Sequence, residues 1–351
     1  MLRLVAGAIA CTAIAGFASA PTSAAAQETL TLRVHTFMPP VANPVKHFLT
    51  PWAEKVTRES GGKMKVQIFP AMGLGGKAPQ LLQQVRDGVV DIVWTLPGYT
   101  PGVMPRLETF ELPFLHRSAL STVLAVQDFA GIHLKDELKD YHPILIHAHS
   151  GVLFMTKGPV NKLEDFKGLK LRSPSRTGAW AIEALGATPI QVDLPELPQM
   201  MSKGTVDGSI LVYEIAPAVK MQELATYFTT LSPPQPRMAT AIFSFLMNKK
   251  RYESLPPDLK KVIDDNSGRN IAKLAAETWD MIELAGENVM RSVAKNRFVT
   301  VGPQETARTK AAVQQPVYAR FKEEMKRIGA DGDKLIADAG ALIEKYSTPS
   351  R

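Results

Sequence analysis

The feature that most constrains the fold is the alternation of strand-like and helix-like apolar patterns between residues 30 and 94. Residues 30–35 and 63–69 alternate apolar and polar side chains with the period of two that is typical of a strand. Residues 43–59 carry apolar side chains at helical spacing, and residues 79–87 do the same before an apolar strand at 89–94. This strand–helix–strand–helix–strand order predicts a parallel sheet, because parallel neighbours need a crossover connection.

A second unit of the same kind begins near residue 141. Its predicted elements are strands at 143–149, 152–156, 169–172 and 205–212, and helices at 178–185 and 196–203. Residues 250–296 form a long helical pattern that opens at Pro256-Pro257, and the tail at 304–345 is almost wholly helical. The sequence therefore predicts two α/β lobes with a helical strut and a helical tail.

The first 26 residues are predicted to be a secretory signal peptide. Arg3 precedes a stretch of apolar and small side chains, and Ala24-Ala25-Ala26 supplies a small-residue cleavage site. The one cysteine of the chain, Cys11, falls inside this segment after a poor lipobox, so lipid anchoring is not expected. The exported chain would have no thiol for a disulfide or a nucleophile, and its core alone would stabilise it.

Charge and composition argue against two classes of protein. The formal net charge is +7, or +6 once Arg3 is removed, and the lysines and arginines are dispersed without a basic run that contains aromatics. Nucleic-acid binding is therefore not expected. No second apolar run approaches about 18 residues, so the exported chain is not expected to span a membrane. A modest positive charge instead suits the attraction of small anions to a cleft.

The sequence lacks the motifs of common enzyme chemistries. The turn at 73–77 is not a phosphate-binding loop, because Ala71 and Ala78 stand where that motif needs a glycine and a hydroxyl residue. Neither His-Glu-x-x-His nor Gly-x-Ser-x-Gly occurs. His147 and His149 lie two apart on a predicted strand and share a face, but no third metal ligand is evident nearby. We predict ordinary strand histidines, no metal, no cofactor and no enzyme activity, with an exported hydrolase as an alternative.

Two arginines follow a predicted strand at the position where α/β proteins usually bind ligands. In the segment Gly-Leu-Lys-Leu-Arg-Ser-Pro-Ser-Arg at 168–176, Arg172 ends the strand and Arg176 precedes the next helix. A guanidinium matches a carboxylate with a planar fork of donors and keeps its charge when it is desolvated. The candidate aromatic residues after or within other strands are Phe37, Trp94, Tyr99, Phe154 and Tyr213. A solvated basic turn and core aromatics are the alternative interpretation.

Blocks of sequence along nearly all of the exported chain resemble one family. They lie at 52–56, 59–63, 69–70, 74–75, 84–93, 111–114, 163–172, 185–189, 204–208 and 247–252. The most diagnostic block reads Leu-Glu-Asp-Phe-Lys-Gly-Leu-Lys-Leu-Arg and ends at Arg172. On these blocks the chain resembles the periplasmic substrate-binding proteins of tripartite ATP-independent periplasmic (TRAP) transporters, the DctP-like family.

The resemblance implies a two-lobed periplasmic-binding-protein fold with a long hinge-spanning helix and a helical C-terminal tail. Lobe I would comprise 27–150 and about 239–280, lobe II 151–238 and about 281–330, and the tail 331–351. A monomer in the periplasm would capture a small organic acid, clamp its carboxylate with Arg172 and deliver it to TRAP membrane permease subunits. A ligand-presenting sensor subunit of the same fold is a further alternative.

Two departures from the family pattern narrow the expected ligand. Many sugar-acid binders carry a second arginine where this chain has Leu153 or Phe154, and an asparagine within the segment that here reads Ser-Ile-Leu-Val-Tyr at 209–213. Polar ligand groups buried there without partners would cost about 1–3 kcal/mol each. We therefore expect a monocarboxylate with an aromatic or branched apolar body, surrounded by the candidate aromatics and with Arg176 as a second positive contact.

Overall fold

The computed structural model describes residues 29–235 and 237–347, so the predicted signal peptide lies outside the described residues. Within those ranges no helix combines the length and the apolar character needed to cross a bilayer. The chain forms two separate sheets, of five and six strands, with helices between and around them. The α/β prediction is confirmed.

The first sheet contains the early strands and one strand that returns much later in the chain. Its members are β1 (Leu30–Thr36), β2 (Met64–Phe69), β3 (Ile92–Thr95), β4 (Tyr141–Ala148) and β10 (Ile242–Asn248). Their order is β2-β1-β3-β10-β4, and β1 pairs in parallel with both β2 and β3, as the sequence predicts. Strand β10 runs antiparallel between β3 and β4. All seven of its side chains are buried, as is typical of a central strand.

The second sheet takes its strands from the middle of the chain and from one late segment. Its members are β5 (Leu153–Thr156), β6 (Lys170–Ser173), β7 (Thr188–Gln191), β8 (Gly208–Leu211), β9 (Tyr227–Thr230) and β11 (Arg297–Thr300). Their order is β11-β9-β5-β8-β6-β7, with β6 parallel to both of its neighbours. Each strand of the first sheet falls in the predicted lobe I and each strand of the second in lobe II. The exact lobe boundaries stay a prediction.

Eleven α-helices lie within the described residues. They are α1 (Thr50–Glu59), α2 (Leu81–Arg86), α3 (Ala119–His133), α4 (Arg176–Ala184), α5 (Leu197–Ser202), α6 (Met221–Leu224), α7 (Lys249–Glu253), α8 (Pro257–Asp265), α9 (Arg269–Arg291), α10 (Pro303–Arg327) and α11 (Gly332–Ser347). The helical pattern predicted at 250–296 is thus divided into three helices. Gly268, with a φ of +55°, allows the change of direction between α8 and α9.

Helix α9 connects the two halves of the molecule. It packs on α3 and β4 of the first lobe and on α6 and the turn Ala216–Val219 of the second. Helix α10 packs on α4, whereas α11 returns to pack on α3. The long hinge-spanning helix and the helical tail are therefore present as predicted, and both tie the lobes together.

Candidate functional site

A cavity lies between the two sheets, where the carboxyl ends of their parallel strands face each other. Phe37 directly follows β1, Tyr99 follows β3 and Arg172 lies near the end of β6. Strand β10 runs antiparallel, so its beginning, with Phe243, reaches the same edge. The free volume of this cavity is about 30 Å³. This is the position that open α/β sheets give to their ligands.

Most of the cavity wall is apolar. The apolar lining residues are Phe37, Met38, Leu96, Val152, Pro174, Leu194, Ile210, Leu211, Val212, Ile215, Ala241 and Phe243. The polar lining residues are Tyr99, His149, Arg172 and Glu214. A small number of polar groups on an apolar wall fits a ligand with an apolar body and one or two polar ends.

Arg172 is a buried cation without an acidic partner. Its side chain is only 1% exposed, and its Nε donates to the Val192 carbonyl oxygen at 2.9 Å. None of the ion pairs within residues 29–235 and 237–347 involves Arg172, and Asp193 acts on it only from a longer distance. Burial lowers the pKa of the guanidinium, but arginine still keeps its charge in proteins. A ligand carboxylate would supply the anion that this site lacks.

Tyr99 complements Arg172 from the opposite lobe. Its hydroxyl oxygen accepts from the Leu194 N–H at 3.1 Å and from Arg172 Nη2 at 3.5 Å. These bonds use the oxygen as an acceptor, and no described residue accepts its O–H. Burial raises the pKa of the phenol, so that it remains a donor. Arg172 and Tyr99 therefore offer donors to one anionic group.

The predicted aromatics Phe37 and Trp94 take different positions. Phe37 lines the cavity and meets Tyr99 edge to face at 5.1 Å. Trp94 lies behind the wall, where its ring stacks on Phe243 at 4.5 Å. Its N–H donates to His147 Nε2 at 2.9 Å. Trp94 thus supports the aromatic wall and does not form its surface.

The structure does not bring Phe154 or Tyr213 to the cavity. Phe154 packs edge to face on Phe166 at 4.7 Å in the core of the second lobe. Tyr213 stacks towards Phe228 at 6.1 Å, beneath the Arg237 guanidinium at 5.1 Å. Its two neighbours along the chain, Val212 and Glu214, line the cavity instead.

Arg176 likewise lies away from the cavity. Its Nε donates to Glu108 Oε2 at 2.7 Å and its Nη1 to Glu324 Oε2 at 3.1 Å. Burial raises the pKa of Glu108 to about 7, although Arg176 acts in the opposite direction. The next residue, Thr177, donates to Glu111 Oε2 at 2.9 Å. The start of α4 is therefore bonded to the first lobe, and the charge of Arg176 is already paired.

Sequence reasoning assigned no ligand role to two polar lining residues, His149 and Glu214. His149 is the first residue after β4 and Glu214 is the third after β8. Their position just after the end of a strand is the signal that could have identified them from the sequence. Burial lowers the pKa of His149 well below its usual value, and the nearby positive groups act in the same direction. Among the lining residues, Arg172 is therefore the one that carries a positive charge at neutral pH. No group of three or more metal-ligating acids, histidines or cysteines occurs within the described ranges.

The buried His147 behind the wall gives the stability of the protein a pH dependence. Burial lowers its pKa from 6.5 to about 3, so its contribution to stability is complete above pH 6.5 and is lost as the pH falls towards 3. Relative to His147→Gln, wild type should lose about 2 kcal/mol of unfolding free energy between pH 7 and pH 5. Urea denaturation of both proteins at the two pH values measures this, because other titrating groups cancel in the difference. If the difference in unfolding free energy between wild type and His147→Gln is the same at both pH values, this prediction is wrong.

Comparison with known proteins agrees with this fold. Residues 36–324 match the family model DctP, described as bacterial extracellular solute-binding protein, family 7. A solute-binding protein from a marine metagenome, specific for aromatic acid ligands, is 41% identical with a TM-score of 0.88, covering 91% of this chain and 100% of that one. It was solved with metahydroxyphenylacetate and with 3-hydroxybenzoate.

Two further solved structures carry ligands of related chemistry. A protein from Rhodoferax ferrireducens with copurified benzoate is 38% identical, with a TM-score of 0.88 and coverage of 91% of this chain and 99% of that one. One from Bordetella bronchiseptica with bound mandelate is 25% identical, with a TM-score of 0.80 and coverage of 90% and 99%. The two lobes, the cleft between them and the family match lead to one assignment: the chain belongs to the DctP family of bacterial extracellular solute-binding proteins, family 7.

Proposed function

We propose that this protein captures an aromatic monocarboxylate in the periplasm and presents it to the membrane subunits of a TRAP transporter. The observation that carries the proposal is Arg172, a buried cation that no acidic side chain of the described residues pairs and that lies on the wall of an apolar cavity. Burying a charge without a counter-ion is costly, and a ligand carboxylate removes that cost. The protein would act by binding and release, without catalysis.

The cavity suits one anionic end and a flat apolar body. Arg172 and Tyr99 supply donors at one end, and Phe37 and Phe243 supply aromatic faces. The positions where sugar-acid binders place polar side chains are apolar here, and Ile210, together with its neighbours, lines the cavity. Relatives solved with benzoate, 3-hydroxybenzoate and mandelate support the same ligand class.

The bonds between the lobes indicate how ligand binding would be coupled to closure. Tyr99 of the first lobe accepts from Arg172 and from the Leu194 N–H of the second, so a ligand held by Arg172 also engages the opposite lobe. Arg176 and Thr177 bond to acids of the first lobe. We propose that a monomer opens by bending near α9, which spans the lobes, and that these contacts re-form when the ligand is enclosed.

A thermal-shift and calorimetry panel tests the ligand class. Benzoate, 3-hydroxyphenylacetate and mandelate should stabilise the purified protein, by about 2.7 kcal/mol at a concentration 100 times Kd. D-Glucuronate and sialic acid should not, because their hydroxyl groups would be buried against apolar side chains. Native mass spectrometry of the freshly purified protein would identify any acid that copurifies. Stabilisation by the sugar acids alone would overturn the proposed ligand class.

A further inference from the structure

The capture of a carboxylate does not use two polar side chains of the cavity, His149 and Glu214, and of these His149 is already hydrogen-bonded to Thr240. Glu214 lines the cavity, is 1% exposed, and neither of its carboxyl oxygens has a hydrogen-bond partner among the described residues. Nearly all buried polar groups in proteins are hydrogen-bonded, so this carboxyl group needs an explanation.

The main chain holds Glu214 firmly in this position. Its N–H donates to Glu283 Oε2 at 2.9 Å, and its carbonyl oxygen accepts from Asn43 Nδ2 at 3.0 Å. Helix α9 packs directly on this segment, since a Cβ atom at Gly286 would lie 1.9 Å from the Tyr213 carbonyl oxygen. These three contacts fix the backbone at Glu214 and so keep this residue in the cavity wall.

The protein itself can satisfy only part of this carboxyl group. Trp279 Nε1 also lacks a hydrogen-bond partner within ordinary hydrogen-bond length, and it lies near enough to Glu214 to act in the direction of a lower pKa. An indole has a single N–H, so Trp279 can donate to only one of the two carboxyl oxygens. Burial, reinforced by the nearby Glu283, raises the pKa of Glu214 well above its usual value. A neutral carboxyl group both donates and accepts one hydrogen bond.

We propose that the Glu214 carboxyl group selects aromatic monocarboxylates that carry a ring hydroxyl, and that it forms a hydrogen bond with that hydroxyl. The proposal rests on the proposed function, because Arg172 must first hold the ligand carboxylate. A second ligand carboxylate is disfavoured at this position, since no second charged cation lines the cavity. A ligand ammonium is disfavoured because a neutral partner offers it no counter-charge.

Calorimetric titration with matched ligands tests the proposal on the wild-type protein. At least one of 3- and 4-hydroxybenzoate should bind about 5- to 150-fold more tightly than benzoate and than the methylbenzoate of the same substitution pattern. The methyl compound has nearly the same shape and more apolar surface but leaves Glu214 unpaired. Equal or tighter binding of the methyl compound would overturn the proposal, as would tightest binding of 3-(aminomethyl)benzoate.

Two variants assign the preference to this residue. Glu214→Leu should reduce the ratio of hydroxybenzoate affinity to benzoate affinity to about 1, whatever its effect on the affinity for benzoate itself. Glu214→Gln should retain most of the preference for hydroxybenzoate over benzoate, because its amide group can also donate and accept hydrogen bonds. An unchanged ratio in Glu214→Leu, or its complete loss in Glu214→Gln, would contradict the proposal. If Glu214→Leu does not fold, the proposal is still tested by the comparison of hydroxybenzoate with methylbenzoate on wild type and by the Glu214→Gln variant.

The failure of this inference can be told apart from the failure of the proposed function. If benzoate does not bind to wild type at all, the proposed ligand class is wrong. If benzoate binds and the binding depends on Arg172, but no ring hydroxyl improves it, only the role of Glu214 is overturned.

Discussion

Arg172→Ala should weaken the binding of benzoate by about 30- to 4000-fold. This range corresponds to the roughly 2–5 kcal/mol that is lost when one partner of a buried charge pair is truncated. The loss is large because Arg172 is the one charged cation on the cavity wall, and the ligand carboxylate would be left buried without a counter-ion. Isothermal titration calorimetry of both proteins measures it.

A comparison of charged and uncharged ligands shows whether Arg172→Ala loses affinity because the carboxylate has lost its counter-ion or because the cavity is damaged. Wild type should prefer benzoate strongly over benzamide, which has the same ring but no charge, and Arg172→Ala should lose that preference. Arg172→Lys should restore part of the affinity, since an ammonium supplies charge without the planar fork. If Arg172→Ala loses the same factor in affinity for benzoate and for benzamide, Arg172 does not bind the ligand carboxylate.

Arg176→Ala is the matched control within the same segment. Arg176 is bonded to Glu108 and Glu324 and does not line the cavity. Its removal should destabilise the contact between the lobes, so that the affinities for benzoate and benzamide fall by a similar, smaller factor. A selective loss of benzoate binding would instead support the prediction that Arg176 is a second positive contact for the carboxylate.

The second large effect is expected at Gly286, in the C-terminal third of helix α9. An alanine Cβ there would lie 1.9 Å from the Tyr213 carbonyl oxygen and 2.4 Å from its carbonyl carbon. Moving these two backbone atoms would also displace the neighbouring residues, which line the cavity. Overpacking of this kind costs about 1–3 kcal/mol and sometimes more. Gly286→Ala should therefore lower the unfolding free energy by at least about 2 kcal/mol, and it should weaken benzoate binding by displacing the Tyr213–Glu214 segment.

Gly131 in helix α3 provides the matched control. It is exposed, and a Cβ at this position would have no neighbour within 4 Å. Gly131→Ala should stabilise the protein by about 0.5–1 kcal/mol, the usual gain when alanine replaces glycine inside a helix. If urea denaturation shows that Gly286→Ala lowers the unfolding free energy and Gly131→Ala raises it, glycine is required at 286 by the close approach of α9 to the Tyr213 backbone. Equal stabilisation by both would contradict this.

The sequence determined much of the fold because its evidence is local. Apolar periodicity predicted a parallel sheet from the first three strands, and the structure pairs β1 in parallel with β2 and β3. The pattern at 250–296 predicts one long helical segment, because apolar periodicity is insensitive to a short break. Only the structure shows the turn at Gly268 that separates α8 from α9.

The site was predicted in part. Arg172, Tyr99 and Phe37 line the cavity, and each belongs to a segment that ends a parallel strand or follows one. Lys170 and Arg172 lie on the same face of β6, yet Lys170 is exposed and Arg172 is buried. The difference arises because Arg172 lies near the end of the strand that the other lobe covers.

The tertiary structure alone decided which polar and aromatic side chains meet in the cleft. Trp94, Phe154 and Tyr213 have the residue types of a binding wall, but packing between elements distant in sequence draws them into the core. Glu214 gains its position from Glu283 and Asn43, which lie 69 and 171 residues away. Local patterns determine where strands and helices form. The contents of a cavity between two lobes depend on long-range contacts, and these are not encoded in the spacing of any one segment.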